Sequence, residues 1–383
     1  MIKKYSIVAT PFLLSEIFKK SDFSLKDAFK NIIGFNYLYF FNSATTSLFL
    51  TLEVLKEFSD KKEVIVPAYS ASSIIYAIKK AKLIPKLCDI SAEDFNFKVD
   101  DFLNLVSSKT LCAILVYLFG ITSEKILDLK NFSLNIYFIE DCAQAFGSKI
   151  GDRFVGANFD FGIFSFNKGK NTPTYNGGAV GFNSKDFALI LDKKIAKTNL
   201  KTQNVFICLL EIIFLYFFVN PYIYGLLYPV ISKLKEKTYS KDFSIGGLNK
   251  IKLKLIFYFL KNLENLSRKR YLNGKYILDN LKDYQNIILP KVSNNTKPAF
   301  NRFPIIFKDL KTLDKVRKAL ESDGFETSRM YEKPLHWIFD LGYKKDDFKC
   351  ANFLAQHILT IPIHPLIKEK DLAKMVEVIK KNL

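Results

Sequence analysis

Asp141, Ser165 and Lys170 share one stretch, NIYFIEDCAQAFGSKIGDRFVGANFDFGIFSFNKGKNTPTYNGGAV, residues 135–180. The acid ends one apolar run, the serine lies in a second, and the lysine precedes a Gly-Gly pair that opens a third. A lysine amine captures an aldehyde as an imine. A buried carboxylate keeps a pyridine nitrogen protonated, so that the ring accepts electrons. Hydroxyls and backbone amides hold a phosphate. An enzyme built on pyridoxal 5'-phosphate (PLP) needs all three. Two lysines compete for the imine, Lys168 and Lys170. A lysine kept from bulk water has a lowered pKa, so its neutral amine is available. It can then carry a proton between two carbons as a general base.

These residues must be held by a sheet. EVIVPAYSASSIIYAIKKAKLIPKLCDI reads as strand, turn, helix and strand, and a helical crossover implies parallel pairing. Thr110–Phe119 is apolar throughout, as in a strand covered on both faces. Ile136–Ile139 is the next buried strand, and it ends in Glu140-Asp141. A carboxylate at the carboxyl end of a parallel strand faces the crevice where such sheets bind ligands. The plainer reading of Asp141 is an N-cap for the following turn. The strand-like Tyr37–Phe41 leads into Asn42-Ser43-Ala44-Thr45-Thr46 and a helix through Leu55. Small hydroxylated residues at a helix N-terminus either cap it or cradle an anion. Downstream, Ile251–Asn280 reads as helix, Arg302–Ile306 as strand, and Thr312–Ser322 and Ala351–Thr360 as helices. The expected fold is α/β: a mostly parallel central sheet in a large domain, 1–250, with a smaller C-terminal α+β domain, 251–383.

The stretch resembles the DegT/DnrJ/StrS-like sugar-nucleotide aminotransferases, fold-type I PLP enzymes. That family reads E-D-A-A-Q, then G-D, then F-S-F-H-P-x-K-N, then G-G-A. Here stand Glu140-Asp141-Cys142-Ala143-Gln144, Phe161-Gly162, Phe164-Ser165-Phe166-Asn167-Lys168-Gly169-Lys170-Asn171 and Gly177-Gly178-Ala179. The match makes Lys170 the Schiff-base lysine and pairs Asp141 with the pyridine nitrogen. It places Gln144 beside the ring and Ser165 on the phosphate. The family's S-G-T-A matches Ser43-Ala44-Thr45-Thr46, which implies that Ala44 and Thr45 hold the phosphate too. An aromatic after V-I-V-P stacks on the ring in the family. The aligned position is Ala71, so the stacking role falls to Tyr69, which reads equally as core. MYEKPLH resembles a pocket segment, and Tyr331 and His336 are its substrate-contact candidates, or parts of a structural loop. Asn167-Lys168 replaces His-Pro, and Tyr175-Asn176 replaces Gly-Glu. The related sugar dehydratases carry histidine where Lys170 stands. The resemblance implies a homodimer that transfers an amino group from an amino acid such as glutamate to a keto sugar, nucleotide-linked, for cell-surface polysaccharide. The competing reading is an inactive membrane-attached scaffold of the same fold.

Bulk properties narrow the rest. The 383 residues carry 57 Lys and Arg against 38 Asp and Glu, a formal net charge of +19. The lysines are spread along the chain and no nucleic-acid motif accompanies them, so an anionic small molecule or lipid surface is the expected partner. Five scattered cysteines without a CxxC pair fit a reducing, cytoplasmic setting. The basic N-terminus lacks the pattern of a signal peptide. Three dispersed histidines suggest no metal site. The segment 202–232 departs in character: Val205–Val219 has one charge, Glu211, and Asn220-Pro221 breaks it from a second apolar run. Its 15 residues fall short of the ~20 that a spanning helix needs. A hairpin lying in the inner membrane surface, burial against the body or partner subunit, and a true span are the three readings.

Overall fold

The computed structural model of the protein describes residues 3–19, 24–234 and 242–383. Seven strands form the central sheet: β1 (Tyr37–Phe41), β2 (Glu63–Pro67), β3 (Ile84–Cys88), β4 (Thr110–Val116), β5 (Tyr137–Asp141), β6 (Phe161–Ser165) and β7 (Gly178–Phe182). Their spatial order is β1-β7-β6-β5-β4-β2-β3. The run from β3 to β6 is parallel, and β7 is antiparallel to both its neighbours. β1 therefore points the same way as β4, β5 and β6, and the carboxyl ends of these strands share one edge. The apolar run of β4 is buried at every position, as a strand covered on both faces must be. It stops at Val116, because the chain then turns through Phe119, which has φ of 59°.

Helix α1 (Ala44–Leu55) leaves β1 at that edge, capped by Ser43, whose Oγ accepts from Thr46 N at 3.1 Å. Helix α2 (Ser72–Lys80) is the crossover from β2 to β3. The close seat of α1 depends on Gly178. A Cβ there would lie 2.2 Å from Ala44 N and 2.3 Å from Ser43 C, so any side chain would push the helix start off the sheet.

The apolar segment forms two helices, α3 (Val205–Phe218) and α4 (Pro221–Leu234), bent by 110° to one another. Among the described residues no single helix is long and apolar enough to cross a membrane. The flanking Lys235, Lys237 and Lys241 lie outside the described residues. The long helix read over 251–280 is two, α5 (Lys250–Lys261) and α6 (Leu263–Leu281), divided at Asn262. A second sheet joins Ile287–Ile288, Phe303–Phe307 and Ile358–Ile361, all antiparallel. The helix expected through Thr360 ends at His357, and Ile358–Ile361 is a buried strand pairing with Phe303–Ile306. The N-terminal arm, assigned to the large domain from sequence, runs along the C-terminal part. Tyr5 bridges Phe325, and its hydroxyl bonds Asp371 at 2.8 Å.

Candidate active site

A cavity of about 230 Å³ opens at the carboxyl edge of the central sheet. Seven of the expected residues line it: Ala44, Thr45, Asp141, Gln144, Ser165, Lys170 and Tyr331. The strand period of two explains how Glu140 and Asp141 part company. Glu140 is wholly buried and accepts bonds from Tyr117 Oη at 2.9 Å, Asn158 N at 2.7 Å, and Gly156 N and Phe159 N at 3.1 Å. It ties down the 156–159 loop. Asp141 faces the cavity, and its Oδ1 accepts from Ala143 N at 2.9 Å, the short-range bond expected of a cap. Burial raises its pKa, opposed by the Ala143 amide and by the charge of Lys170.

Lys170 is carried on a turn closed by backbone bonds: Phe166 N to Gly177 O at 2.9 Å, Thr174 N to Phe166 O at 2.7 Å, and Lys170 N to Asn167 O at 3.0 Å. This turn separates the two competing lysines. Lys168 is exposed, with its ammonium 5.4 Å from the centre of the Tyr175 ring, whereas Lys170 lines the cavity. Burial pulls the Lys170 pKa down to about 8; Asp141 opposes the fall and Arg302 adds to it. At pH 7 about a tenth of such an amine is neutral, against well under a thousandth for an ordinary lysine. No direct ion pair joins Lys170 to Asp141 among the described residues, yet each lies in the other's field.

Gln144 bridges the two parts of the chain. Its Oε1 accepts from Phe119 N at 2.9 Å, and its Nε2 donates to Tyr331 Oη at 3.1 Å. Two expected residues are not in the cavity wall. Tyr69 is wholly buried behind it, edge-on to Tyr331 with ring centres 5.5 Å apart. The turn after β2, closed by Ser70 Oγ on Pro67 O at 3.0 Å, sends that ring inward; Ala71 and Ser73 form the wall instead. His336, in the short helix Leu335–Ile338, packs on Phe348, ring centres 5.0 Å apart, and its Nε2 pairs with Lys345 O at 3.2 Å, outside the cavity lining. Sequence reading passed over Asn42, Asn176 and Arg302. Asn176 was visible as a departure from the family pattern. Arg302 carried no signal beyond starting a strand, yet its charge reaches Lys170 and Tyr331.

The residues fit PLP. Ala44 and Thr45 stand in the first turn of α1, where no earlier carbonyl can satisfy their amides, and the helix dipole favours an anion. The Ser165 side chain faces the same cavity, with a carboxylate and a lysine of depressed pKa beside it.

The profile of the DegT/DnrJ/EryC1/StrS aminotransferase family matches residues 20–198 and 244–380. The chain belongs to this family. Its class, a PLP-dependent aminotransferase, and its cofactor follow from that membership. The unmatched interval between 198 and 244 holds α3 and α4. An uncharacterized protein of Methanocaldococcus jannaschii is 25% identical over 375 residues, covering 93% of this chain and 88% of that one. GDP-perosamine synthase of Escherichia coli O157:H7 is 36% identical over 146 residues, 38% of this chain and 40% of that enzyme. In fold, Spr1654 of Streptococcus pneumoniae in its PLP form superposes with a TM-score of 0.76 at 18% identity, covering 99% of this chain and 100% of that one.

Proposed function

We propose that this aminotransferase moves an amino group from an amino acid, glutamate as the first donor to test, onto the keto carbon of a nucleotide-linked sugar for cell-surface glycan synthesis. The observation that carries the roles is that Asp141 and Lys170 line one cavity and shift each other's protonation. When bound, PLP supplies an aldehyde for an amine and a ring that accepts electrons. The amides of Ala44 and Thr45 and the Ser165 hydroxyl hold its phosphate. Asp141, whose charge is costly in a buried place, is offset by a protonated ring nitrogen facing it. Gln144 stays beside the ring because both ends of its amide are bonded. Lys170 Nζ would hold the cofactor and, once the donor amine has displaced it, would carry a proton from the donor carbon to the cofactor's former aldehyde carbon. Tyr331 contacts the sugar from the small domain proposed for 251–383, across from the large one, 1–250. The nucleotide-linked sugar rests on the likeness to GDP-perosamine synthase.

The test is a screen of nucleotide-linked keto sugars with glutamate, the aminated product identified by mass. Product should form with the native protein and disappear in Lys170→Ala together with the visible absorbance. Product formation by Lys170→Ala would refute the assignment. The same reading has the protein cytoplasmic and homodimeric, with α3 and α4 resting on the inner face of the membrane. It is supported by the run of exposed apolar side chains there, including Phe206, Leu210, Tyr222, Leu226 and Val230. Co-sedimentation with phosphatidylglycerol vesicles checks the membrane contact. Self-association that depends on α3 and α4, without vesicle binding, would assign that face to the dimer.

A further inference from the structure

Arg270 lies within α6, wholly buried, and no carboxylate pairs with it among the described residues. Among the described residues its guanidinium donates only to neutral acceptors: Ala9 O and Thr10 Oγ1 at 2.9 Å, Phe300 O at 3.1 Å and Asn301 O at 3.3 Å. An unpaired buried charge costs several kcal/mol, so packing alone would be better served by an apolar side chain. What a guanidinium offers is a rigid fork of donors that binds two strands of chain at once.

Both strands lead to the same place. Thr10 Oγ1 donates to Asn171 O at 2.8 Å. A hydroxyl has one proton, and with Arg270 donating to its oxygen that proton is committed to Asn171. Asn301 Nδ2 donates to Gly169 O and to Asn171 Oδ1, both at 3.1 Å. Asn171 Nδ2 in turn donates to Ala299 O at 2.7 Å. The backbone on either side of Lys170 is thus held by two residues whose own orientation is set by Arg270.

We propose that Arg270 is a positioning residue: through Thr10 and Asn301 it fixes the backbone from Gly169 to Asn171, so that the Lys170 amine meets its reaction partners in register. The inference rests on Lys170 being the lysine that holds PLP. Three segments far apart in sequence converge on one loop, and Gly169, Lys170 and Asn171 carry no apolar side chain that packing could grip in their place. A displacement of the lysine by an ångström would cost rate rather than binding, since the phosphate cradle is elsewhere.

The experiment removes PLP from the protein and follows its recapture by visible absorbance in Thr10→Val, Thr10→Ser and Arg270→Lys. The same three proteins are measured for kcat, donor KM and melting temperature. Thr10→Val is expected to slow recapture and kcat about tenfold, with KM and melting temperature close to native, and Thr10→Ser to restore both. Arg270→Lys keeps a charge but not the fork, and is expected to lose about a hundredfold in the same two rates. If Arg270→Lys does not fold, the Thr10 pair decides. Native recapture rates in Thr10→Val, an equal loss in Thr10→Ser, or a loss that only tracks melting temperature would overturn the proposal. Covalent absorbance persisting in Lys170→Ala would remove its premise, and this control is read before any Thr10 variant.

Discussion

Two lysines lie by the cavity, Lys170 in its wall and Lys252 bonded to the lining residue Asn176, and the chain treats them oppositely. Lys252, on α5, is wholly buried and saturated: its ammonium donates to Gln203 Oε1 at 2.8 Å, to Glu211 Oε2 at 2.5 Å, and to Asn176 Oδ1. Lys170 is surrounded by a tightly bonded backbone, yet its amine makes no hydrogen bond among the described residues and meets Asp141 only through its field. A lysine given three acceptors is a bolt. A lysine given a rigid seat and nothing to hold keeps a neutral fraction and is ready to react. The bolt also explains the odd charge of α3. Glu211, its one charged residue, turns inward to Lys252, while the outer face is left apolar.

The contrast can be broken at either end. The largest effect is expected at the reactive end. Asp141→Asn keeps the shape and removes the charge proposed to pair with the ring nitrogen, and should lower kcat by about 10²–10⁴-fold with the cofactor still bound. Absorbance and steady-state rates on one preparation check it. At the bolted end, Lys252→Met strands Glu211 beside the core. It should cost about 3–5 kcal/mol in denaturant unfolding, and the double variant Glu211→Gln, Lys252→Met should recover most of that. The smallest effect sharpens the comparison without mutation. In the cofactor-free protein, amine labelling at Lys170 should rise through about pH 8, because burial lowers its pKa and the neutral form reacts. Lys252 should stay unlabelled until the protein unfolds. Mass mapping of the labelled peptides distinguishes them, and equal labelling of the two would erase the distinction.

What could be read from the chain follows the same division. The placement of Asp141, Gln144, Ser165 and Lys170 around one cavity was legible because they lie in contiguous runs whose strand ends can be counted. The parallel strands were legible because apolar runs alternate with crossover helices. Arg270, Thr10 and Asn301 were not, because their meaning is a convergence of segments that no local pattern records. Tyr69 misled because its distance from Pro67 does not say which way the turn aims the ring. Ile358–Thr360 reads as the end of a helix because a short apolar run has no period of its own until Pro304–Ile306 lies beside it. α3 and α4 were visible as an intrusion, since a run with a single charge cannot be an ordinary amphipathic helix.

The N-terminal arm has a practical side. Residues 5–10 pass from Phe325 to the carbonyl of Asn171, touching both halves of the chain while contributing no side chain to the cavity. Trimming the chain through Thr10 is expected to take no side chain from the cavity and still slow the catalyst, much as pulling a tent peg slackens a pole it never touches.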